Sequence, residues 1–241
     1  MLILIRSIIF FVFLVITTTL FATPMFTIGW LLPYRQRCWF ANSWGKVNLW
    51  LLGVICNLRY EVSGWENLPQ RDAIILSKHQ SAWETIALRG LLPPEQAWVL
   101  KRELLRVPFF GWALAAAEAI GIDRSSGRVA MRQVITKGTD RLKQGRLVII
   151  FPEGTRVAPG QRKRYGMGGA ILSEKSGYPI VPIAHNAGVF WRRRGVRKYP
   201  GTIQVVIGPA IETNGKSASE INAEVEEWIE STVATLPQTS G

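Results

Sequence analysis

Acidic residues are missing from the first 60 positions, where Arg6, Arg35, Arg37, Lys46 and Arg59 are the charged side chains. The whole chain is short of acid, with 17 Asp and Glu against 29 Lys and Arg, for a formal net charge of +12. A surplus of that size implies an anionic partner: a nucleic acid, an acidic membrane surface or a phosphorylated substrate. Histidine and cysteine are scarce too, at two of each. Two histidines exclude a His-rich metal centre. Cys38 and Cys56 are too few for a disulfide framework or a metal cluster, and they suit a reducing compartment. No G-x-S-x-G elbow, P-loop, internal repeat or low-complexity segment occurs. Charged residues make up only 19% and hydrophobic residues 48%, which excludes a disordered chain.

What is abundant sits at the N-terminus. From Ser7 to Tyr34 no residue is charged, and Ile8 to Phe21 is a nearly unbroken apolar run. Pro24 interrupts it before a second apolar piece, Met25 to Leu32. A bilayer-spanning helix needs roughly 20 apolar residues. Four readings remain: a cleaved signal peptide ending near Ala22-Thr23, a single span, a helical pair bent at Pro24 that dips into one leaflet, or a buried N-terminal helix. Trp30, Trp39, Trp44 and Trp50 suit the headgroup level, so membrane attachment is expected. Because the positive, acid-free end is also the greasy end, a membrane is favoured over a nucleic acid. Arg35, Arg37 and Lys46 would hold the main body on the cytoplasmic side.

Beyond Asn57 short apolar runs alternate with helical patterns. Strands are expected at Leu58–Val62, Ala73–Leu76, Trp98–Leu100, Leu147–Phe151, Pro179–Ala184 and Thr202–Ile207. Helices are expected at Ala82–Leu91, Val107–Ala117, Arg128–Lys143, Gly168–Lys175 and Ser217–Leu236. Continuous apolar strands between helices predict a single layered α/β domain with a largely parallel or mixed sheet. The chain thus divides into a hydrophobic helical membrane-anchoring region, 1–57, and the α/β domain, 58–241.

Two constellations can carry chemistry. In Lys78-His79-Gln80-Ser81-Ala82-Trp83-Glu84 the acid stands five positions after the imidazole. Inside one helix that step would leave the side chains roughly 140° apart, so His79 must precede the helix and Glu84 lie in its first turn. A carboxylate on one imidazole nitrogen fixes the tautomer and leaves the other as a base. Ser81 to Glu84 also reads as a capping box, in which Glu84 serves only a backbone amide. The second constellation, Phe151-Pro152-Glu153-Gly154-Thr155-Arg156, ends an apolar strand. It reads either as an anion-gripping loop, with glycine for close approach and Arg156 as a bidentate fork, or as an ordinary turn. Lys101 and Arg124 follow expected strand ends, where α/β sheets gather ligands. His185 reads as structural. The run Trp191 to Arg194, with Arg197 and Lys198, reads as a basic surface facing anionic lipid or an acyl carrier.

These blocks, in this order, resemble the glycerolipid acyltransferases, most closely the 1-acyl-glycerol-3-phosphate acyltransferases. The matching residues are His79 to Glu84, Lys101 to Leu104 with Pro108 to Gly111, Gly121 to Arg124, Phe151 to Arg156 and Val181 to Ile183, spread over nearly half the chain. The resemblance implies that His79 deprotonates the hydroxyl of lysophosphatidic acid and that Glu84 orients His79. It also implies that Arg124, Glu153, Gly154, Arg156 and Lys101 shape the phosphate site. The acyl group would come from acyl-CoA or an acyl-carrier protein, directly, with no acyl-enzyme, metal or other cofactor. Localisation at a bacterial inner membrane follows from the same likeness. Two departures stand out: the family's usual acid is Asp where this chain has Glu84, and Tyr165-Gly166-Met167 replaces a segment that is often basic. The rival functions are an acyltransferase for another lysolipid and a non-catalytic anionic-lipid-binding membrane protein.

Overall fold

The computed structural model describes residues 1–69, 72–123 and 127–239. Two long helices come first, α1 (Leu2–Thr27) and α2 (Tyr34–Cys56), joined by a 3-10 turn at Gly29–Leu31. They run antiparallel: Cys56 Sγ lies 3.7 Å from the Arg6 carbonyl, and Thr17 Oγ1 donates to Asn48 Oδ1 at 3.1 Å. The helix does not break at Pro24, as the sequence suggests, but continues to Thr27. Proline removes one i→i−4 bond. The neighbouring Thr23 and Thr27 hydroxyls bond back to the carbonyls of Thr19 and Thr23, at 2.8 and 2.7 Å. The chain turns instead at Ile28–Pro33, and Pro33 caps α2 with φ −53°. Among the described residues α1 is the one helix long and apolar enough to cross a membrane. Ile5, Ile8, Ile9, Phe11, Val12, Phe13, Val15 and Ile16 are exposed along it.

Among the described residues the α/β part carries seven strands: β1 (Leu58–Ser63), β2 (Ile74–Ser77), β3 (Gln96–Lys101), β4 (Ile120–Ile122), β5 (Leu147–Ile150), β6 (Ile180–His185) and β7 (Gly201–Ile207). They form one mixed sheet in the order β1-β7-β6-β2-β5-β3-β4. From β6 to β4 all neighbours are parallel; β7 is antiparallel to β6, and β1 is parallel to β7. The central strands β2, β5 and β6 are buried at every residue, as a sheet covered on both faces requires.

One face is covered by the helical pair and by α3 (Trp83–Leu91), with Phe10, Leu49, Leu52, Ile75, Trp83 and Val181 in one apolar core. The other face packs α5 (Gly127–Lys143), α6 (Gly168–Ser176) and α8 (Ala218–Thr235) over Ile74, Leu76, Val148 and Ile180. The N-terminal pair therefore shares its core with the sheet. Gly45 and Gly90 let α2 and α3 cross closely, since a Cβ on Gly45 would meet Gly90 N at 2.5 Å. Asn42 Nδ2 donates to the carbonyls of Arg89, Gly90 and Leu92, which the end of α3 leaves without helical partners.

Four further differences are local. The expected helix Val107–Ala117 is shortened to α4 (Phe110–Ala116), because Pro108 and Phe109, at φ +60°, break its start, and a 3-10 turn at Arg102–Arg106 precedes it. Ile120–Ile122, unassigned from the sequence, pairs with β3. The four-residue α7 (Ala187–Phe190) follows β6, and Lys198, expected on the basic surface, is buried against Ser7 and Phe10 of α1.

Candidate active site

The parallel strands β6, β2, β5 and β3 end on one edge of the sheet, and the candidate residues gather there. Past β2 the Lys78 N–H still donates to Ile183 of β6 at 2.9 Å, so His79 leaves the sheet from a fixed position. The turn to α3 then brings Glu84 back beneath it. His79 Nδ1 lies 2.8 Å from Glu84 Oε1, and the same oxygen accepts the Gln80 and Ser81 N–H groups at 2.9 and 2.7 Å. Glu84 therefore contacts the imidazole and the backbone at the helix start together. Its carboxylate has no exposed surface. Burial opposes its charge most strongly, yet the bond to His79, the His185 and His79 charges and the Ser81 N–H outweigh that and hold its pKa below the ordinary value. An ionised Glu84 accepts from Nδ1–H, which puts the lone pair on Nε2. The His79 ring stacks on Phe151 with centroids 4.1 Å apart and planes at 14°, and its side chain keeps 14% of its surface exposed.

Behind His79 is a buried ion cluster. Glu153 Oε2 accepts the His79 backbone N–H at 2.6 Å, and Glu153 Oε1 lies 2.8 Å from Lys78 Nζ. Lys78 Nζ also donates to Glu230 of α8 at 2.6 Å, and Tyr165 OH donates to the same Glu230 oxygen at 2.8 Å. Two carboxylates thus share one lysine. Burial pushes the Glu153 pKa up to about 7, against the opposing pull of Lys78. His185 is fully buried: its Nε2 donates to the Lys78 carbonyl at 2.8 Å and its Nδ1 accepts the Ala187 N–H at 3.2 Å, which places it in the structural role expected of it.

In front of His79 opens a cavity of about 520 Å³. Its apolar wall comes from Phe21, Ala22 and Met25 of α1, Trp44 of α2, and Leu104, Phe110 and Leu114. His79, Arg89, Lys101, Gly154, Thr155, Arg156, Arg193 and Arg194 also line it. With both apolar and cationic side chains in its wall, the cavity could take an apolar chain and an anionic group together. Gly154 has φ +68° in the turn that its N–H closes onto the Phe151 carbonyl at 3.0 Å, a conformation that favours glycine. Val157 N–H donates to the His79 carbonyl at 2.8 Å, so the Arg156 loop is tied directly to the His79 turn.

Of the residues singled out in the sequence, the fold brings His79, Glu84, Lys101, Gly154 and Arg156 to this one site. Glu153 faces away from the cavity, into Lys78, and is buried at 2% exposure. Arg124 lies outside the described residues. Nothing in the sequence joins Lys78, Tyr165 and Glu230, which meet only in the folded chain. The sequence reading passed over Arg89, which lines the cavity and lies over the Trp98 ring at 5.5 Å.

A mixed α/β sheet with an imidazole–carboxylate pair beside a mostly apolar cavity that also holds several cations defines an enzyme built for a lipid-like substrate. Residues 59–186 match the family model described as Acyltransferase, and the chain belongs to that family. It is 46% identical over 236 residues to the 1-acyl-sn-glycerol-3-phosphate acyltransferase of Pseudomonas aeruginosa, covering 96% of this chain and 91% of that protein. It is 29% identical over 171 residues to the human 1-acyl-sn-glycerol-3-phosphate acyltransferase beta, covering 70% of this chain and 62% of that one. The crystal structure of the Thermotoga maritima 1-acyl-sn-glycerophosphate acyltransferase superposes with a TM-score of 0.80 at 22% identity, covering 96% of this chain and 94% of that one, so the fold is the same.

Proposed function

We propose that this acyltransferase moves a fatty acyl group from acyl-CoA or acyl-carrier protein to the sn-2 hydroxyl of 1-acyl-glycerol-3-phosphate, giving phosphatidic acid. The 46% identity to the Pseudomonas aeruginosa enzyme supports the substrate class. The observation that carries the mechanism is the 2.8 Å contact between His79 Nδ1 and Glu84 beside a cavity that cations line. His79 Nε2 takes the proton of the acceptor hydroxyl as its oxygen attacks the thioester carbonyl carbon. The tetrahedral intermediate then collapses, the C–S bond breaks, and the departing sulfur leaves as the thiol with the proton from His79. Glu84 holds the tautomer and stabilises the imidazolium that forms in between. Arg156 and Lys101 receive the acceptor's phosphate. Glu153 acts from behind, by fixing the His79 backbone. Arg124 remains a proposed member of the phosphate site.

The helical pair keeps the active site where the acceptor is dissolved. α1 meets the α/β domain near both ends: Ser7 Oγ accepts the Lys198 N–H at 2.8 Å, and Phe26 packs on Phe109 and Trp112 at 5.7 and 5.3 Å. A helix crossing the bilayer upright would carry that domain into the hydrocarbon, so the pair dips into one leaflet, with the domain on the cytoplasmic side. A positioned base contributes about 10²–10⁴-fold. His79→Ala should therefore lose turnover on that scale in a thiol-release assay with lysophosphatidic acid while melting like the wild type. Normal turnover by that variant would end the mechanism.

A further inference from the structure

Five cations line the cavity: Arg89, which is buried and lies over the Trp98 ring, and Lys101, Arg156, Arg193 and Arg194. Among the described residues none of them has a carboxylate partner. Lys101 ends β3 and Arg156 follows β5, whereas Arg193 and Arg194 follow β6, the strand on the opposite side of β2 and His79. The acceptor proposed above has one phosphate, for which Lys101 and Arg156 suffice. Its co-substrate is anionic as well. Acyl-CoA and acyl-carrier protein both present the thioester on phosphopantetheine, so each brings at least one further phosphate to the same cavity. We propose that Arg193 and Arg194 form a second anion site, which holds a phosphate of the acyl donor.

The segment is built to hold these two side chains out. Trp191 Nε1 donates to the Gly195 carbonyl at 3.2 Å, the Gly195 N–H donates to Arg192 at 2.9 Å, and the Tyr199 N–H closes onto Phe190 at 2.9 Å. Arg194 is held at φ +58°, a left-handed conformation that a long side chain adopts at a cost and that recurs at ligand-binding positions. The base of the loop is pinned to α1, where the Trp191 ring packs edge-on against Phe10 at 5.8 Å and Lys198 Nζ lies 4.6 Å from the Trp191 ring centre. Arg192 turns back over Tyr199, at 5.8 Å, and does not line the cavity. Two adjacent guanidinium groups suit a phosphate, which each can grip through paired N–H donors. Because Arg193 and Arg194 line the cavity, a donor phosphate fits them better than a lipid headgroup on the outer surface.

This inference rests on the acyl-transfer reading, and its test separates the two. The double variant Arg193→Gln with Arg194→Asn keeps polar side chains and a residue that tolerates the left-handed turn. It is assayed with palmitoyl-CoA, with palmitoyl-carrier protein, and with the phosphate-free thioester S-palmitoyl-N-acetylcysteamine, at saturating lysophosphatidic acid. The KM for both phosphate-bearing donors should rise about 10- to 100-fold, the scale of losing charge-assisted hydrogen bonds, with no rise for the phosphate-free donor. A rise for palmitoyl-CoA alone would also support the site and assign it to the nucleotide phosphates. Arg192→Ala, which alters the same loop, should leave every donor KM in place. The inference is overturned if the KM for lysophosphatidic acid rises instead, if the phosphate-free donor suffers equally, or if only binding to phosphatidylglycerol vesicles is lost. Wild-type protein that consumes no thioester would remove the acyl-transfer reading itself; an active enzyme with unmoved donor KM would remove this site alone.

Discussion

Glu84 Oε1 accepts from His79 Nδ1 at 2.8 Å and from two backbone N–H groups of the same turn at 2.7 and 2.9 Å. One oxygen thus anchors the imidazole and the loop that carries it. Glu84→Gln retains an oxygen able to accept but loses the negative charge that balances an imidazolium. It also places an amide nitrogen at the buried position of Oε2, which has no hydrogen-bond partner among the described residues. Turnover should fall about 10²- to 10⁴-fold, with KM for lysophosphatidic acid little changed. Steady-state thiol release measures both, and turnover within twofold of wild type would show that the carboxylate is only a cap.

Arg156 lines the same cavity without a carboxylate partner among the described residues. Arg156→Ala should raise the KM for lysophosphatidic acid by about 10- to 100-fold, the equivalent of about 1.5–3 kcal/mol for hydrogen bonds to a charged group. A monoacylglycerol acceptor, which lacks the phosphate, should be used as poorly by the variant as by the wild type. An equal loss on both acceptors would place Arg156 outside the phosphate site.

Much of this arrangement can be read along the chain, and what cannot has a physical reason. His79 and Glu84 are five residues apart and meet inside one turn, so local geometry brings them together. The apolar runs that became β2, β5 and β6 are buried on both faces and carry no competing signal. Ile120–Ile122 is too short to show a period, and becomes a strand only because β3 offers it an edge. The path of α1 through Pro24 depends on neighbouring threonines and on packing, which a proline read in isolation does not reveal. Glu153 reads as part of an anion loop, but its partner Lys78 comes from the end of β2 and is shared with Glu230 of α8. No local pattern announces a contact between residues 152 positions apart. Lys198 looked like surface charge for the same reason, since Ser7, which receives its N–H, is 191 residues away.

The crossing of α2 and α3 at Gly45 and Gly90 leaves no room for a side chain. A Cβ on Gly90 would meet Lys46 N at 2.7 Å, and one on Gly45 would meet Gly90 N at 2.5 Å, in each case backbone that cannot yield cheaply. Gly45→Ala should push the helical pair off the sheet and destabilise the protein by about 1–3 kcal/mol, as overpacking does. Trp44 also lines the cavity, so turnover should fall with it. Thermal melting in detergent measures the first effect. An unchanged melting temperature would mean that the pair rides loosely on the domain.

Lys78 stands between Glu153 and Glu230 at 2.8 and 2.6 Å, with almost no exposed surface on any of the three side chains. Lys78→Met leaves Glu153 without a cation and Glu230 with only the exposed Arg162 at 3.8 Å, and should cost about 3–5 kcal/mol, whereas Glu153→Gln leaves a neutral Lys78–Glu230 pair and should cost far less. The two also differ with pH. The Glu153 pKa is pushed from 4.5 up to about 7, so between those values the folded protein holds a proton that the unfolded chain has released. Stability then falls as pH rises through that window, by up to about 1.4 kcal/mol per pH unit from this group, and Glu153→Gln removes that slope. Urea melts at intervals between pH 5 and pH 7 should show the variant's stability declining less steeply than the wild type's. Parallel curves would mean that Glu153 is already ionised at pH 5 and that Lys78 carries both negative charges.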